Sequence, residues 1–463
     1  MHYVSTRGQA PHLSFEDVLL TGLAGDGGLF VPDAVPTLPA KEIRAMQDAR
    51  YEDVAFTVMQ PFVGECFPAA TLRDLITAAY QDFGHIARAP LMEIDRGHFL
   101  CELFHGPTLA FKDFAMQLIG QMMAHVLDRR RARVTIVGAT SGDTGSAAIE
   151  AFAGLDAVDV VILYPHGRVS DVQRRQMTTP KASNIRTLAV HGTFDDCQRH
   201  LKDMFADLEF RDGVRLAAVN SINWARVMAQ IVYYFTAATS LGAPDRPVSF
   251  TVPTGNFGDI YAGEMARRMG LPIADLVVAT NQNDILDRAI NAGQYQVGDV
   301  RPSISPSMDI QVSSNFERLL FDAYGRDGNA IAQLMTELAQ NGGFSISQGV
   351  REHIAAGFSA GSATEAQTAA RIRATLHQSA ELVCPHTAVG LDVATRHQRV
   401  GIPMITLATA HPAKFPIAVE EATGVHPALP KRMADLYDRS ERVTEIANDL
   451  ETIKSHIRDE VLA

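Results

Sequence analysis

The chain has 463 residues, enough for two or three packed units, and its 46% apolar and 20% charged residues are the proportions of an ordinary globular protein. A formal net charge of -12 argues against nucleic acid or an anionic membrane as the main partner, because either calls for a basic surface. The four cysteines, Cys66, Cys101, Cys197 and Cys384, show no paired spacing, so they suggest neither a zinc site nor a disulfide framework and read as reduced, mostly buried thiols.

At the amino end, Met1-His2-Tyr3-Val4-Ser5-Thr6-Arg7 lacks an apolar signal core, and no run of about 18 apolar residues follows anywhere, which places the expected protein in the cytoplasm. Residues 1–90 contain helix-like runs such as Ala69–Tyr80, and Ala89-Pro90 marks a boundary. An auxiliary module is therefore expected over 1–92. Beyond it, short apolar strands are predicted at Val134–Val137, Val158–Leu163, Ile185–Val190, Leu216–Val219, Ser249–Val252, Leu276–Ala279 and Met404–Ala408, with amphipathic helices between them. Such alternation predicts an α/β fold, a largely parallel sheet covered on both faces by helices. This catalytic unit is expected over 93–430. The stretch from Gln282 to Gly343 is richer in Asn, Gly and Ser and reads as an insertion near the mouth of the site. The mixed charges Asp438, Arg439, Glu441 and Arg442 predict a solvated helical tail over 431–463.

Three features carry chemistry. In Leu103-Phe104-His105-Gly106-Pro107-Thr108-Leu109-Ala110-Phe111-Lys112-Asp113-Phe114 a single lysine stands among apolar and aromatic neighbours. Such surroundings disfavour the ammonium form and so make Lys112 a candidate nucleophile toward a carbonyl; a lysine that carries its charge out to water is the alternative. The strand Val134–Val137 runs into Gly138-Ala139-Thr140-Ser141-Gly142-Asp143-Thr144-Gly145-Ser146 and then a helix, and Ser249–Val252 runs into Pro253-Thr254-Gly255-Asn256-Phe257-Gly258-Asp259 and another helix. Each is a turn of small residues at a helix N-terminus, which suits an anion. Neither is a Walker loop or a close dinucleotide fingerprint, so a nucleotide is not indicated. Ligands in such folds bind beyond the carboxyl ends of strands, and both turns, the Asn220 segment and the Thr409 segment all follow such ends.

Together with Asn220-Ser221-Ile222-Asn223-Trp224-Ala225-Arg226 and Ala408-Thr409-Ala410-His411-Pro412-Ala413-Lys414-Phe415, these segments resemble the threonine synthase family, pyridoxal-phosphate enzymes of fold type II. Ser5-Thr6-Arg7-Gly8 and Asp26-Gly27-Gly28-Leu29-Phe30-Val31-Pro32 resemble that family's amino-terminal module, and the likeness runs from about residue 5 to about residue 425. The resemblance implies pyridoxal 5'-phosphate as cofactor, with Lys112 as covalent anchor and proton carrier. It implies that Gly255, Asn256, Phe257 and Gly258 cradle the cofactor phosphate and that Thr409 meets the pyridine nitrogen. Asp143 stands where many relatives carry Asn facing the cofactor 3'-oxygen, and an ionised carboxylate cannot donate there. It is expected either to cap the following helix or to be protonated. Ser141, Gly142 and Thr144 would bind the substrate's amino-acid end, and Asn220, Ser221 and Arg226 its phosphate. Ser305-Pro306-Ser307-Met308-Asp309-Ile310 and Ser313-Ser314-Asn315-Phe316-Glu317-Arg318 also resemble the family, as loop and helix cap or as ligand contacts. His411 is expected to be a structural hydrogen-bonder.

The implied reaction turns O-phospho-L-homoserine and water into L-threonine and phosphate, with no metal, by a monomer or homodimer. Two other outcomes stay open: a related phospho-lyase that releases 2-oxobutyrate and ammonia, and a non-catalytic relative that keeps the fold as a binding module.

Overall fold

The structure is a computed structural model, and it describes residues 1–217 and 220–461. Two parallel sheets organise it. In the first the strand order is Thr444–Ile446, Ile185–Val190, Val158–Pro165, Val134–Ala139, Leu216–Ala217, and every neighbouring pair is parallel. In the second the order is Phe358–Ser362, Ile273–Thr280, Val248–Pro253, Met404–Ala408, His98–Glu102, Leu91–Asp95, parallel except for the last hairpin. Strands such as Val248–Pro253 and Met404–Ala408 are buried along their whole length, polar Ser249, Thr251 and Thr406 included, as strands covered on both faces by helices must be. The predicted strand at Leu216–Val219 is present at Leu216–Ala217; Ala218 and Val219 lie outside the described residues.

The amino-terminal residues share the core of the rest. Helix Tyr51–Val63 turns Val54, Val58, Met59 and Phe62 inward against the buried helix Trp224–Ser240, and Ala69–Tyr80 packs on Lys112–Arg130. Trp224 is wedged between Tyr3 and Phe62 at ring separations of 5.9 and 5.7 Å. Tyr80 donates to the Phe114 carbonyl at 3.0 Å, so the helix that begins with Lys112 is fastened to residues of the N-terminal module.

The stretch from Gln282 to Gly343 carries the helices Ile285–Ala292, Phe316–Ala323 and Gly328–Asn341, Gln294–Gln296 pairs antiparallel with Gly343–Ser345, and Pro306 to Ile310 with Val312 and Ser314 line the cavity described below. One expectation needs correction. Of the charged residues near 440, Asp438 ends the short 3-10 turn Leu436–Asp438, and Arg439, Glu441 and Arg442 lie outside any helix. Arg174 pairs with Glu441, which also accepts from the Thr178 hydroxyl at 2.7 Å, and the chain then adds the edge strand Thr444–Ile446. The terminal helix, Leu450–Val461, buries Ile453 and Ile457 against Val161, Cys197 and Met204, so its inner face is core and not solvated. Among the described residues no helix is long and apolar enough to cross a membrane.

Candidate active site

The carboxyl ends of Val134–Ala139, Val248–Pro253 and Met404–Ala408 open on one cavity of about 1060 Å3. Four helices start at its wall: Lys112, Asp143 and Gly258 are each the first residue of a helix, and Arg226 is in the first turn of Trp224–Ser240. Helix N-termini present unpaired N–H groups and the positive end of the dipole, so a chain of negative net charge holds a pocket suited to anions. Every residue expected in the site lines this cavity except Gly142. Gly142 is buried beneath Gln173, whose side chain an added Cβ would meet at 2.4 Å, and its φ of 129° shapes the turn instead of touching a ligand.

Lys112 is 9% exposed, its Nζ 5.2 Å from the centre of the Phe111 ring and 3.4 Å from Asp143 Oδ2. Burial pushes its amine below the usual lysine range; Asp143 opposes that, while Lys414 and Arg226 add to it. The backbone places it firmly. The Phe111 N–H donates to the Thr409 carbonyl at 2.8 Å, tying the start of the lysine's helix to the residue after Met404–Ala408. Asp113, one residue on, accepts from the Thr108 N–H and hydroxyl at 2.8 and 2.6 Å and holds the preceding turn closed.

Asp143 follows neither expected course. It does not turn away, and it is ionised: although burial works against the charge, Lys414 and Lys112 hold its carboxyl well below the usual range. Oδ1 pairs with Lys414 Nζ at 3.0 Å and accepts from Gln173 Nε2 at 2.9 Å, while Oδ2 faces Lys112 and the Ser307 hydroxyl, each at 3.4 Å. The turn around it is set by Thr140, whose hydroxyl oxygen accepts from the N–H groups of Gly142 and Gly145, both at 2.9 Å.

The Gly255–Gly258 turn is clamped from the other side. Phe257 has φ 64° and caps helix Gly258–Arg268. The Ser313 hydroxyl donates to the Gly255 carbonyl at 2.7 Å, and Asn315 donates to the Asn256 carbonyl through N–H and side chain at 3.1 and 2.8 Å. A Cβ on Gly255 would stand 2.6 Å from the Ser307 carbonyl, so only glycine fits. Asn315 also donates to the Ser221 carbonyl at 3.1 Å, and buried Arg318 donates to Asn315 Oδ1, to the Ile222 carbonyl at 2.6 Å and to the Phe30 carbonyl at 2.9 Å. One strut thus connects the Gly255–Gly258 turn, the Asn220 segment and the N-terminal module. Arg226, pushed down to about 10 by burial, stands beside Asn220 and Ser221 in the cavity wall.

Sequence reasoning missed several of these positions. His386, at the start of helix Pro385–Ala394, lines the cavity, is pushed down to about 4 by burial, and accepts from the Ser307 N–H at 3.2 Å. Gln173, on helix Asp171–Thr178, carried no signal in the sequence, whereas Ser307, Asn315 and Arg318 belong to the Ser305 and Ser313 segments already noted, as braces of the site. His411 Nδ1 accepts from the Ala413 N–H at 3.2 Å and caps the turn Pro412–Lys414.

Three family patterns tile the chain: "Threonine synthase N terminus" over residues 2–80, "Pyridoxal-phosphate dependent enzyme" over 83–388 and "Threonine synthase, C-terminal" over 387–457. The threonine synthase of Pseudomonas aeruginosa is 52% identical, with 99% of this chain and 98% of that protein aligned. Among solved structures, the threonine synthase of Brucella melitensis, described as bound to pyridoxal phosphate, superposes with a TM-score of 0.98 at 55% identity over 100% of both chains. The yeast enzyme superposes at 0.95 with 38% identity, over 100% of this chain and 99% of its own. A lysine buried between two anion turns is thus the centre of a fold matched along its entire length, and the chain belongs to the threonine synthase family of pyridoxal-phosphate-dependent enzymes.

Proposed function

We propose that this protein converts O-phospho-L-homoserine and water into L-threonine and phosphate, with pyridoxal 5'-phosphate held in the cavity described above. One observation carries the proposal. A single cavity is lined by a buried lysine, by two turns of small residues at helix N-termini that suit a cofactor phosphate and a substrate carboxylate, and by Asn220, Ser221 and Arg226, which suit a second phosphate. The residues fit the cofactor: Gly255 leaves room where a side chain would collide, Gly258 opens a helix toward the phosphate, and Lys112 offers an amine that burial keeps reactive. When bound, the cofactor supplies an electron sink that acidifies C–H bonds next to the substrate amine.

The remaining work falls to side chains. Lys112 anchors the cofactor and, once released by the substrate amine, removes and returns protons at Cα and Cβ. Thr409 orients the ring from the end of its strand. Ser141 and Thr144 hold the substrate carboxylate at the N-terminus of Asp143–Phe152. Asn220, Ser221 and Arg226 hold the phosphate that leaves from Cγ, and water then adds at Cβ. Asp143 keeps a charged oxygen beside the Lys112 amine. The same proposal includes the division into an N-terminal module over 1–92, a catalytic unit over 93–430 and a terminal segment over 431–463, a cytoplasmic location, and a monomer or homodimer that needs no metal.

Incubating the purified holoprotein with O-phospho-L-homoserine and quantifying products tests the reading. Equal amounts of threonine and phosphate are expected. Release of 2-oxobutyrate and ammonia would transfer the chain to the phospho-lyase alternative. No turnover, together with no absorbance band at roughly 410–430 nm from lysine-bound cofactor, would leave only a binding module.

A further inference from the structure

Lys414 is fully buried, on the short turn that follows Thr409, and its Nζ donates to the Thr108 carbonyl at 2.8 Å and pairs with Asp143 Oδ1 at 3.0 Å. An ammonium with no access to water is unfavourable unless it is paired, and a neutral side chain of the same length would fill the space without that penalty. The geometry of its partner suggests what the charge is for. Lys414 and Gln173 both occupy Oδ1 of Asp143, which leaves Oδ2 turned to the cavity with Lys112 Nζ and Ser307 Oγ each 3.4 Å away. We propose that Lys414 is a positioning residue for the reaction: by holding Oδ1 it aims Oδ2 at the Lys112 amine, and by neutralising the carboxylate it leaves that amine free to attack. The inference rests on the reading of Lys112 as cofactor anchor.

The charges around Lys112 set the sign. Burial favours the free amine, Asp143 favours the ammonium, and Lys414 and Arg226 each favour the amine. The other titratable groups turned toward this centre are His386, which burial keeps neutral, Cys384, whose thiol burial pushes up, and Asp113, which Thr108 holds. Without Lys414, the full charge of Asp143 would act on Lys112 alone and make it an ammonium, the form that cannot capture an aldehyde.

The test is the pH dependence of cofactor capture by the apoprotein. Pyridoxal phosphate is added to wild type, Lys414→Met and Lys414→Arg, the product is reduced with borohydride, and the adduct on Lys112 is quantified by peptide mapping. In Lys414→Met the midpoint of the rate profile should move up by about one to three pH units, slowing capture near neutral pH about tenfold or more, and Lys414→Arg should restore most of the shift. A folded Lys414→Met protein with an unmoved midpoint overturns the proposal. Should that variant not fold, Asp143→Asn decides: it removes the opposing charge and leaves Lys414 facing Lys112, so its midpoint must fall, and an unmoved or raised midpoint overturns the proposal. An adduct on a lysine other than Lys112 in wild type would instead refute the anchor assignment, which separates the two failures.

Discussion

Replacing Gly255 by alanine adds one methyl group at the most crowded point of the Gly255–Gly258 turn. The new Cβ would lie 2.6 Å from the Ser307 carbonyl oxygen and 3.7 Å from Met308 Cα, and the close contact is with backbone, which cannot swing aside as a side chain would. To reach ordinary contact at about 3.4 Å, one of the two loops must retreat. The Ser307 loop is braced by the His386 ring at 3.2 Å, and the Gly255 carbonyl by Ser313 at 2.7 Å, so retreat strains one brace or the other. Forced accommodation of this kind costs about 1–3 kcal/mol, and because the retreat opens the phosphate cradle, most of it should appear in cofactor binding as an affinity loss of about five- to hundred-fold. Fluorescence titration of apoprotein with pyridoxal phosphate measures it. Gly349→Ala is the control, since nothing lies within 4 Å of its added Cβ. An unchanged dissociation constant for Gly255→Ala, in a protein whose thermal midpoint matches wild type, would refute the assignment of this turn to the phosphate.

Arg226→Ala should cost about 2–5 kcal/mol, some thirty-fold to several-thousand-fold in kcat/KM, with O-phospho-L-homoserine, but much less in the slow deamination of L-threonine or L-serine. Equal losses on the two substrates would make Arg226 structural. Thr409→Val keeps shape and removes a hydroxyl, so cofactor affinity should fall by about 1–3 kcal/mol with the fold intact, and equilibrium dialysis showing no change would count against its role. Asp259, buried beneath the hydroxyls of Tyr233 and Tyr234 at 2.5 and 3.0 Å, is pushed up to about 6 by burial. Its folded form binds a proton more tightly than the unfolded chain does, so its stabilisation is complete below about pH 4 and is lost as pH rises through about 6. Denaturant unfolding should therefore show Asp259→Asn gaining about 2–3 kcal/mol on wild type between pH 4 and 7; a difference that stays constant with pH would contradict this.

The sheets were legible because parallel strands buried on both faces are mostly apolar, and Val134–Ala139, Val158–Pro165, Val248–Pro253 and Met404–Ala408 carry only one or two polar residues each. The hairpin Leu91–Asp95 to His98–Glu102 also left a mark in the sequence, Gly97 at φ 72°, but its charged edge hid it. Phe358–Ser362 was masked by Ser359, Gly361 and Ser362, small polar residues that do not look like a strand until a neighbour covers them. Thr444–Ile446 is three residues long among charges, and only the docked helix behind it reveals its purpose. In the site, motif residues were legible because their chemistry is local: glycines make turns, and a lysine among aromatics is buried. The partners were not. Whether Asp143 is capped, protonated or ionised depends on Lys414, 271 positions away in sequence and 3.0 Å away in space. No spacing rule encodes that pair.

The Arg318 strut also sets a clock. Its partners Phe30 and Ile222 precede it by 288 and 96 residues, and a ribosome adding about 5–20 residues per second delivers Arg318 roughly a quarter of a minute to a minute after Phe30. Until then the Gly255–Gly258 turn and the Asn220 segment exist without the guanidinium that braces them, and the Phe30 carbonyl waits for its donor. A chain stalled before residue 315 therefore carries the Gly255–Gly258 turn and the Asn220 segment without the Asn315 amide and Arg318 guanidinium that tie them together, and cofactor capture becomes a late event in the life of the nascent polypeptide.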